Sequence, residues 1–251
     1  MGEAARQIDR IDAAPAFDTA RVAALLDDTR DMSTTELLQH LLRSIGVQQT
    51  AIVSSFGAES AVLLHLVSQI DTAVPLIFVN TQKMFGETLA YRDELAERLG
   101  FTDLRVMRPD PFTLALKDKT GLRWSYDPDG CCEIRKVEPL SRGLAGFDAW
   151  ISGRKGFQKG RGGLPRLELD AGRLKINPLA DWSQADIDAY METHELPRHP
   201  LVAQGYPSIG CSPCTSKVQP GEDPRAGRWR GWDKVECGIH TPGGEADEPV
   251  F

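Results

Sequence analysis

Cys131 and Cys132 stand in tandem, Cys211 and Cys214 form C-S-P-C, and Cys237 stands alone near the end of the 251-residue chain. Four of these thiols have the number and softness of a metal site, and the fifth is left as a candidate nucleophile. C-x2-C alone serves both zinc and iron–sulfur clusters. The tandem pair favours a [4Fe–4S] cluster, because adjacent side chains diverge and rarely reach one small ion, whereas a cubane offers several irons. Zinc and two unrelated pairs stay open from spacing alone. If metal holds four thiols, Cys237 has no internal partner, and a thiol cycle through it needs an external reductant.

The neighbours of the cysteines add charge. Asp127-Pro128-Asp129-Gly130 reads as a turn that places Cys131 and Cys132 at a helix N-terminus, where the dipole favours thiolates. Lys136 follows Cys132 by four residues, so both should share a helical face, with the lysine a cation between cluster and substrate or simply solvated. Lys234 and His240 flank Cys237 by three residues on either side and favour its thiolate. Arg225 and Arg228 offer two guanidiniums for forked binding of phosphate or sulfate. Residues 131–175 hold ten Lys/Arg against five Asp/Glu, which suits a local anion site. The overall charge of −7 speaks against general nucleic-acid binding.

Short apolar runs alternate with amphipathic stretches and must position these groups. Residues 51–53, 74–79, 104–107, 148–152 and 174–176 read as strands, with helices around 62–67 and 87–99. That pattern predicts a buried parallel sheet in an α/β fold, with ligands beyond the carboxyl ends of the strands. Ser54-Ser55-Phe56-Gly57-Ala58-Glu59-Ser60, Asn80-Thr81 and Gly153-Arg154 would then surround one mouth. The serine loop is no P-loop, having one glycine and no lysine, and reads either as an anion cradle or as a turn whose serines cap the helix. Three segments follow: N-terminal helices over 1–48, an α/β domain over 49–214, and a tail over 215–251 rich in Pro, Gly and charge, expected to be mobile in part. No apolar run approaches 18 residues and no leader pattern opens the chain, so a cytoplasmic protein without a membrane span is expected.

Taken together, S-S-F-G-A-E-S, E-T-L-A-Y-R-D, C-C-E-I-R-K-V-E-P-L, W-I-S-G, G-C-S-P-C-T, R-A-G-R-W and K-V-E-C-G-I-H make residues 50–240 resemble the iron–sulfur-type adenylyl-sulfate reductases of the sulfonucleotide reductase family. The resemblance implies an adenine-nucleotide alpha-hydrolase-like fold, a [4Fe–4S] cluster on Cys131, Cys132, Cys211 and Cys214, and attack by Cys237 on the sulfur of adenosine 5′-phosphosulfate. It carries substrate contacts to Lys136, Arg161, Arg225, Arg228 and His240, besides Ser54, Ser55, Gly57, Thr81 and Gly153 around the mouth. It also implies sulfate assimilation and thioredoxin, or a similar dithiol protein, as electron donor, and leaves self-association open. Many members carry Asp-Thr-Gly where this chain has Asn80-Thr81-Gln82. The competing readings are a 3′-phosphoadenylyl-sulfate reductase, which usually lacks the cluster cysteines, a cluster-dependent tRNA-thiolating enzyme, and a zinc-stabilised interaction module.

Overall fold

The apolar runs become strands. In the computed structural model, which describes residues 16–158 and 162–240, β1 (Thr50–Val53), β2 (Leu76–Val79), β3 (Leu104–Met107) and β4 (Ala149–Ser152) are joined by β5 (Leu167–Asp170) and β6 (Arg173–Ile176). The sheet order is β3-β2-β1-β4-β6-β5, parallel except for β5 against β6. β2 is Leu-Ile-Phe-Val throughout and β1 carries Ala-Ile-Val after Thr50, because both faces of a parallel sheet are covered. β5 is the strand that the apolar pattern missed. Leu167-Glu168-Leu169-Asp170 alternates on an edge, and its hairpin turns through Ala171 and Gly172, both at positive φ (48° and 77°), without the Asn-Gly signal of such turns.

Seven α-helices matter for the site: α1 (Thr19–Asp28), α2 (Thr34–Ile45), α3 (Ser60–Ser68), α4 (Gly86–Arg98), α5 (Pro111–Lys117), α6 (Pro128–Cys132) and α7 (Glu138–Gly143). Ser33 and Glu36 close a capping box at the start of α2. Phe17, Val22, Leu37, Leu38 and Leu41 belong to the same buried cluster as Ile52, Leu76 and Ile151, so the first helices cover the sheet. A second cluster lies around Ala51, Ile77, Leu140 and Trp150, and Ile239 of the tail packs against it. Between α6 and α7 the backbone makes a π-helical turn over Glu133–Val137. Lys136 therefore does not sit in the plain i, i+4 relation to Cys132 that an α-helix would give. Among the described residues no helix is long and apolar enough to cross a membrane.

A buried histidine ties α4 to the approach of the C-x-x-C segment. His199 is 1 % exposed; its Nδ1 accepts from Leu201 N (3.2 Å), so its Nε2–H donates to Thr88 Oγ1 (3.0 Å). Burial, only partly offset by Glu87, pushes it down from 6.5 to about 4. The unfolded chain therefore takes up this proton first as the pH falls. The stability His199 confers should be whole above pH 6.5 and shrink by roughly 3 kcal/mol on descending to about pH 4. Denaturant titrations across that range should show a shallower loss for His199→Gln than for wild type, and parallel curves would refute the assignment.

Candidate functional site

β1 ends in a tight turn at the cavity mouth. Ser54 Oγ accepts from Phe56 N (3.1 Å), and Phe56 takes a left-handed φ of 49° while its buried ring meets Phe78 edge-on at 5.5 Å. A non-glycine residue in that region is strained and persists only when its surroundings hold it. No side chain caps α3, which begins at Ser60, so the expectation that the serines cap the helix is not met. Ser60 N and Val62 N donate instead to the carbonyls of Gly57 and Glu59 (3.1 and 3.3 Å), and the helix N-terminus adds partial positive charge beside the cavity. At the end of β2, Asn80 Oδ1 accepts from Gln82 N (2.9 Å) and Gln82 takes φ 60°. Asn-Thr-Gln thus makes the turn that a glycine would ease.

These strand ends open on one cavity of about 300 Å³. Ser54, Ser55, Gly57, Thr81, Lys136 and Gly153 line it, and the tail adds Arg225, Arg228, Cys237 and His240. Arg161 lies outside the described residues. Sequence reasoning missed several members of the wall. Lys155, 6 % exposed, pairs with Glu59 at 2.8 Å, and Glu59 also accepts from Gln184 (2.9 Å), which braces the β1 and β4 loops together. Gly210 and Trp229 also line it. Both lay inside quoted motifs, yet nothing in a linear pattern says what a glycine leaves room for.

The tail folds back through a few specific contacts. Trp229 N donates to Cys214 O (3.0 Å), Arg225 bonds the Val235 carbonyl (3.0 Å) and pairs with Glu236 (3.5 Å), and Lys234 pairs with Asp129. Lys234 is therefore engaged at the start of α6 and is not a dedicated partner of Cys237. The His240 ring lies parallel to Trp150 of β4 at 5.9 Å. Arg228 Nε and Trp229 Nε1 are buried without a hydrogen-bond partner among the described residues, which in a cationic cavity marks a place for an acceptor.

Behind the cavity, Cys131, Cys132, Cys211 and Cys214 line one small recess with Lys83, Arg135 and Lys136. Asp127 caps α6, accepting from Gly130 N (2.8 Å), with Pro128 as the first helical residue. Ser212 N donates to Lys83 O (2.7 Å), pinning the C-x-x-C turn against the β2 exit. Thr81 Oγ1 lies 3.2 Å from Cys211 Sγ. Burial, with Cys132 beside it, pushes the Cys131 thiol up to about 12, and burial pushes Cys132 up to about 11. Such thiols become thiolates only when a strong cation faces them, which is what a metal centre supplies. Burial acts to lower Lys136, and the sulfurs of Cys211, Cys237 and Cys132, once ionised, more than offset it. Among the described residues no three His, Cys, Asp or Glu groups gather closely enough for a single ion. Four sulfurs around one recess have the number and softness of a metal-binding set.

Arg135 fixes this corner. Its Nε and Nη2 bond Asp118 Oδ2 (2.9 and 2.7 Å) and its Nη1 bonds Thr81 O (2.8 Å), with the side chains 5 % and 0 % exposed.

Residues 49–217 match the family described as the phosphoadenosine phosphosulfate reductase domain. A relative from Mesorhizobium japonicum named adenosine 5′-phosphosulfate reductase is 47 % identical over 239 residues, covering 95 % of this chain and 94 % of its own. Another of that name from a Chelativorans species is 51 % identical over 197 residues, covering 78 % and 80 %. Among solved structures, the phosphoadenylyl-sulfate reductase of Candida auris superposes with a TM-score of 0.69 at 27 % identity, over 82 % of this chain and all of that one. The fold is thus of the adenine-nucleotide alpha-hydrolase-like kind. Breaking the buried pair tests the corner: Asp118→Ala should cost about 3–5 kcal/mol in a denaturant titration, since it strands the Arg135 charge. A loss under 1 kcal/mol would contradict that role.

Proposed function

Because this chain belongs to the phosphoadenosine phosphosulfate reductase family, we propose that it reduces adenosine 5′-phosphosulfate to sulfite and AMP through a covalent intermediate on Cys237. The observation that carries this reading is the place of the tail thiol. Cys237 lines the same cavity as Lys136, Arg225, Arg228 and the strand-end loop, so a nucleophile and an anion site share one volume. The two bacterial relatives named for adenosine 5′-phosphosulfate support the choice of nucleotide.

The steps follow from these groups. The adenosine phosphosulfate enters with its anionic end toward Lys136, Arg225 and Arg228, and Arg161 joins them as the sequence resemblance implies. The Cys237 thiolate attacks the sulfur, the bond from sulfur to the phosphate oxygen breaks, and AMP departs with the electron pair. Charge growing on the phosphate oxygens is met by Lys136 and Arg228, held in place before the reaction. His240 closes the tail against β4. A thiolate of thioredoxin or a similar dithiol protein then attacks the Cys237 sulfur and sulfite leaves with the electron pair. The donor's second thiol resolves the mixed disulfide, which returns the Cys237 thiol and leaves the donor oxidised. The two electrons that reduce the sulfur thus come from the dithiol, and the setting is cytoplasmic sulfate assimilation.

Cys131, Cys132, Cys211 and Cys214 would hold a [4Fe–4S] cluster. When bound, the cluster supplies the positive iron that keeps the four sulfurs ionised and ties the two cysteine segments together. The recess that the four cysteines share supports this assignment.

Anaerobically purified protein should contain about four irons and four sulfides per chain, and stoichiometric zinc without sulfide would overturn the cluster assignment. Cys237→Ser should keep the iron and bind nucleotide, yet release no sulfite. Wild-type protein given substrate without reductant should stop after one turnover with an SO₃ adduct that peptide mapping places on Cys237, and reduced thioredoxin should then free sulfite. Lys136→Ala should lower kcat by roughly a hundredfold or more. A higher kcat/KM for the 3′-phosphorylated nucleotide would move the substrate assignment.

A further inference from the structure

Gly210 opens the motif G-C-S-P-C-T, and neither the cysteine set nor the nucleophile accounts for it. Its backbone does not need glycine, since its φ lies outside the left-handed region. The need is for space. A β-carbon added at Gly210 would lie 2.5 Å from Arg228 Cζ and 3.0 Å from Nη1, and would overlap Nη2. The guanidinium of Arg228 rests against the bare face of Gly210, with Nη1 bonded to Ile209 O (3.3 Å) and Cζ 4.5 Å from the centre of the Trp229 ring.

We propose that Gly210 is a positioning residue whose missing side chain seats the Arg228 guanidinium in the anion cavity. This rests on the reading of that cavity as the phosphosulfate site. Three observations carry it. Gly210 and Arg228 both line the cavity. Arg228 Nε is buried with no hydrogen-bond partner among the described residues, so one edge of the seated fork is left for an external acceptor. The glycine cannot retreat, because its N–H donates to Thr215 Oγ1 (3.2 Å), which itself bonds Cys211 O (2.9 Å). A methyl group at 210 would therefore displace the flexible arginine, leaving the pinned turn in place. The same glycine thus couples the turn that carries Cys211 and Cys214 to a cation that faces substrate.

A double-mutant cycle on the full chain, purified anaerobically, tests the coupling. Wild type, Gly210→Ala, Arg228→Ala and the double variant are compared for sulfite release from adenosine 5′-phosphosulfate and for AMP binding by calorimetry. Each single variant should lose roughly ten- to a hundredfold in kcat/KM and weaken AMP, the range for one charge-assisted hydrogen bond. The double variant should be no more than about twofold below Arg228→Ala, because coupled sites are not additive. Gly210→Ala should keep wild-type iron content and melting temperature. Losses that multiply in the double variant, a Gly210→Ala protein that sheds its iron, or a crystal structure of that variant with the guanidinium unmoved would each overturn the proposal. Should wild-type protein release no sulfite with any thiol, the functional reading falls, while the AMP cycle and the Arg228 position still decide this one.

Discussion

Burying Arg135 obliges three separate segments to meet. A guanidinium taken out of water must be paired and hydrogen-bonded, or the fold loses several kcal/mol. Here Asp118 at the end of α5 takes two of its N–H groups and the Thr81 carbonyl beyond β2 takes another. Arg135 lies three residues after Cys132, in the π-helical turn. Thr81 in turn places its hydroxyl beside Cys211. One charge thus sets the tandem cysteines, the strand-end loop and the C-x-x-C turn in a common frame. The π turn is part of that solution, since it lets Arg135 and Lys136 both be buried.

Lys136 is the electrostatic hinge between the two halves of the site. It lines the nucleotide-sized cavity and the cysteine recess alike. A lysine this deeply buried would ordinarily surrender its proton, but the sulfurs of Cys211, Cys237 and Cys132 around it, once ionised, hold it charged. Under the proposed reaction that ammonium serves the ionised sulfurs behind it and the phosphosulfate before it.

The tail is held by a handful of contacts of modest strength. The ion pairs of Arg225 with Glu236 and of Lys234 with Asp129, the Ile239 anchor and the His240–Trp150 stack bring residue 237 home. Asp129 is exposed and Glu236 half-buried, and ion pairs so near solvent contribute little each, so the tail can open without unfolding the sheet. Under the proposed reaction Cys237 faces the substrate in one step and an external thiol in the next, which suits such a segment.

The sequence by itself determined the elements and the chemical inventory. Short apolar runs, Ala-Ile-Val, Leu-Ile-Phe-Val and Ala-Trp-Ile, make β1, β2 and β4 legible because strands buried on both faces need no polar alternation, and the five cysteines announce soft-metal and thiol chemistry by type alone. β5 escaped because a four-residue amphipathic edge strand carries almost no local signal. The tertiary structure alone decided which distant residues share a volume. That Cys237 joins Lys136 across a hundred residues, that Lys155 is neutralised by Glu59, and that Gly210 matters for the β-carbon it lacks are outcomes of long-range packing. Backbone periodicity is a local property and reads along the chain. Steric exclusion and charge pairing act through space, and take their meaning only once the sheet has brought its strand ends together.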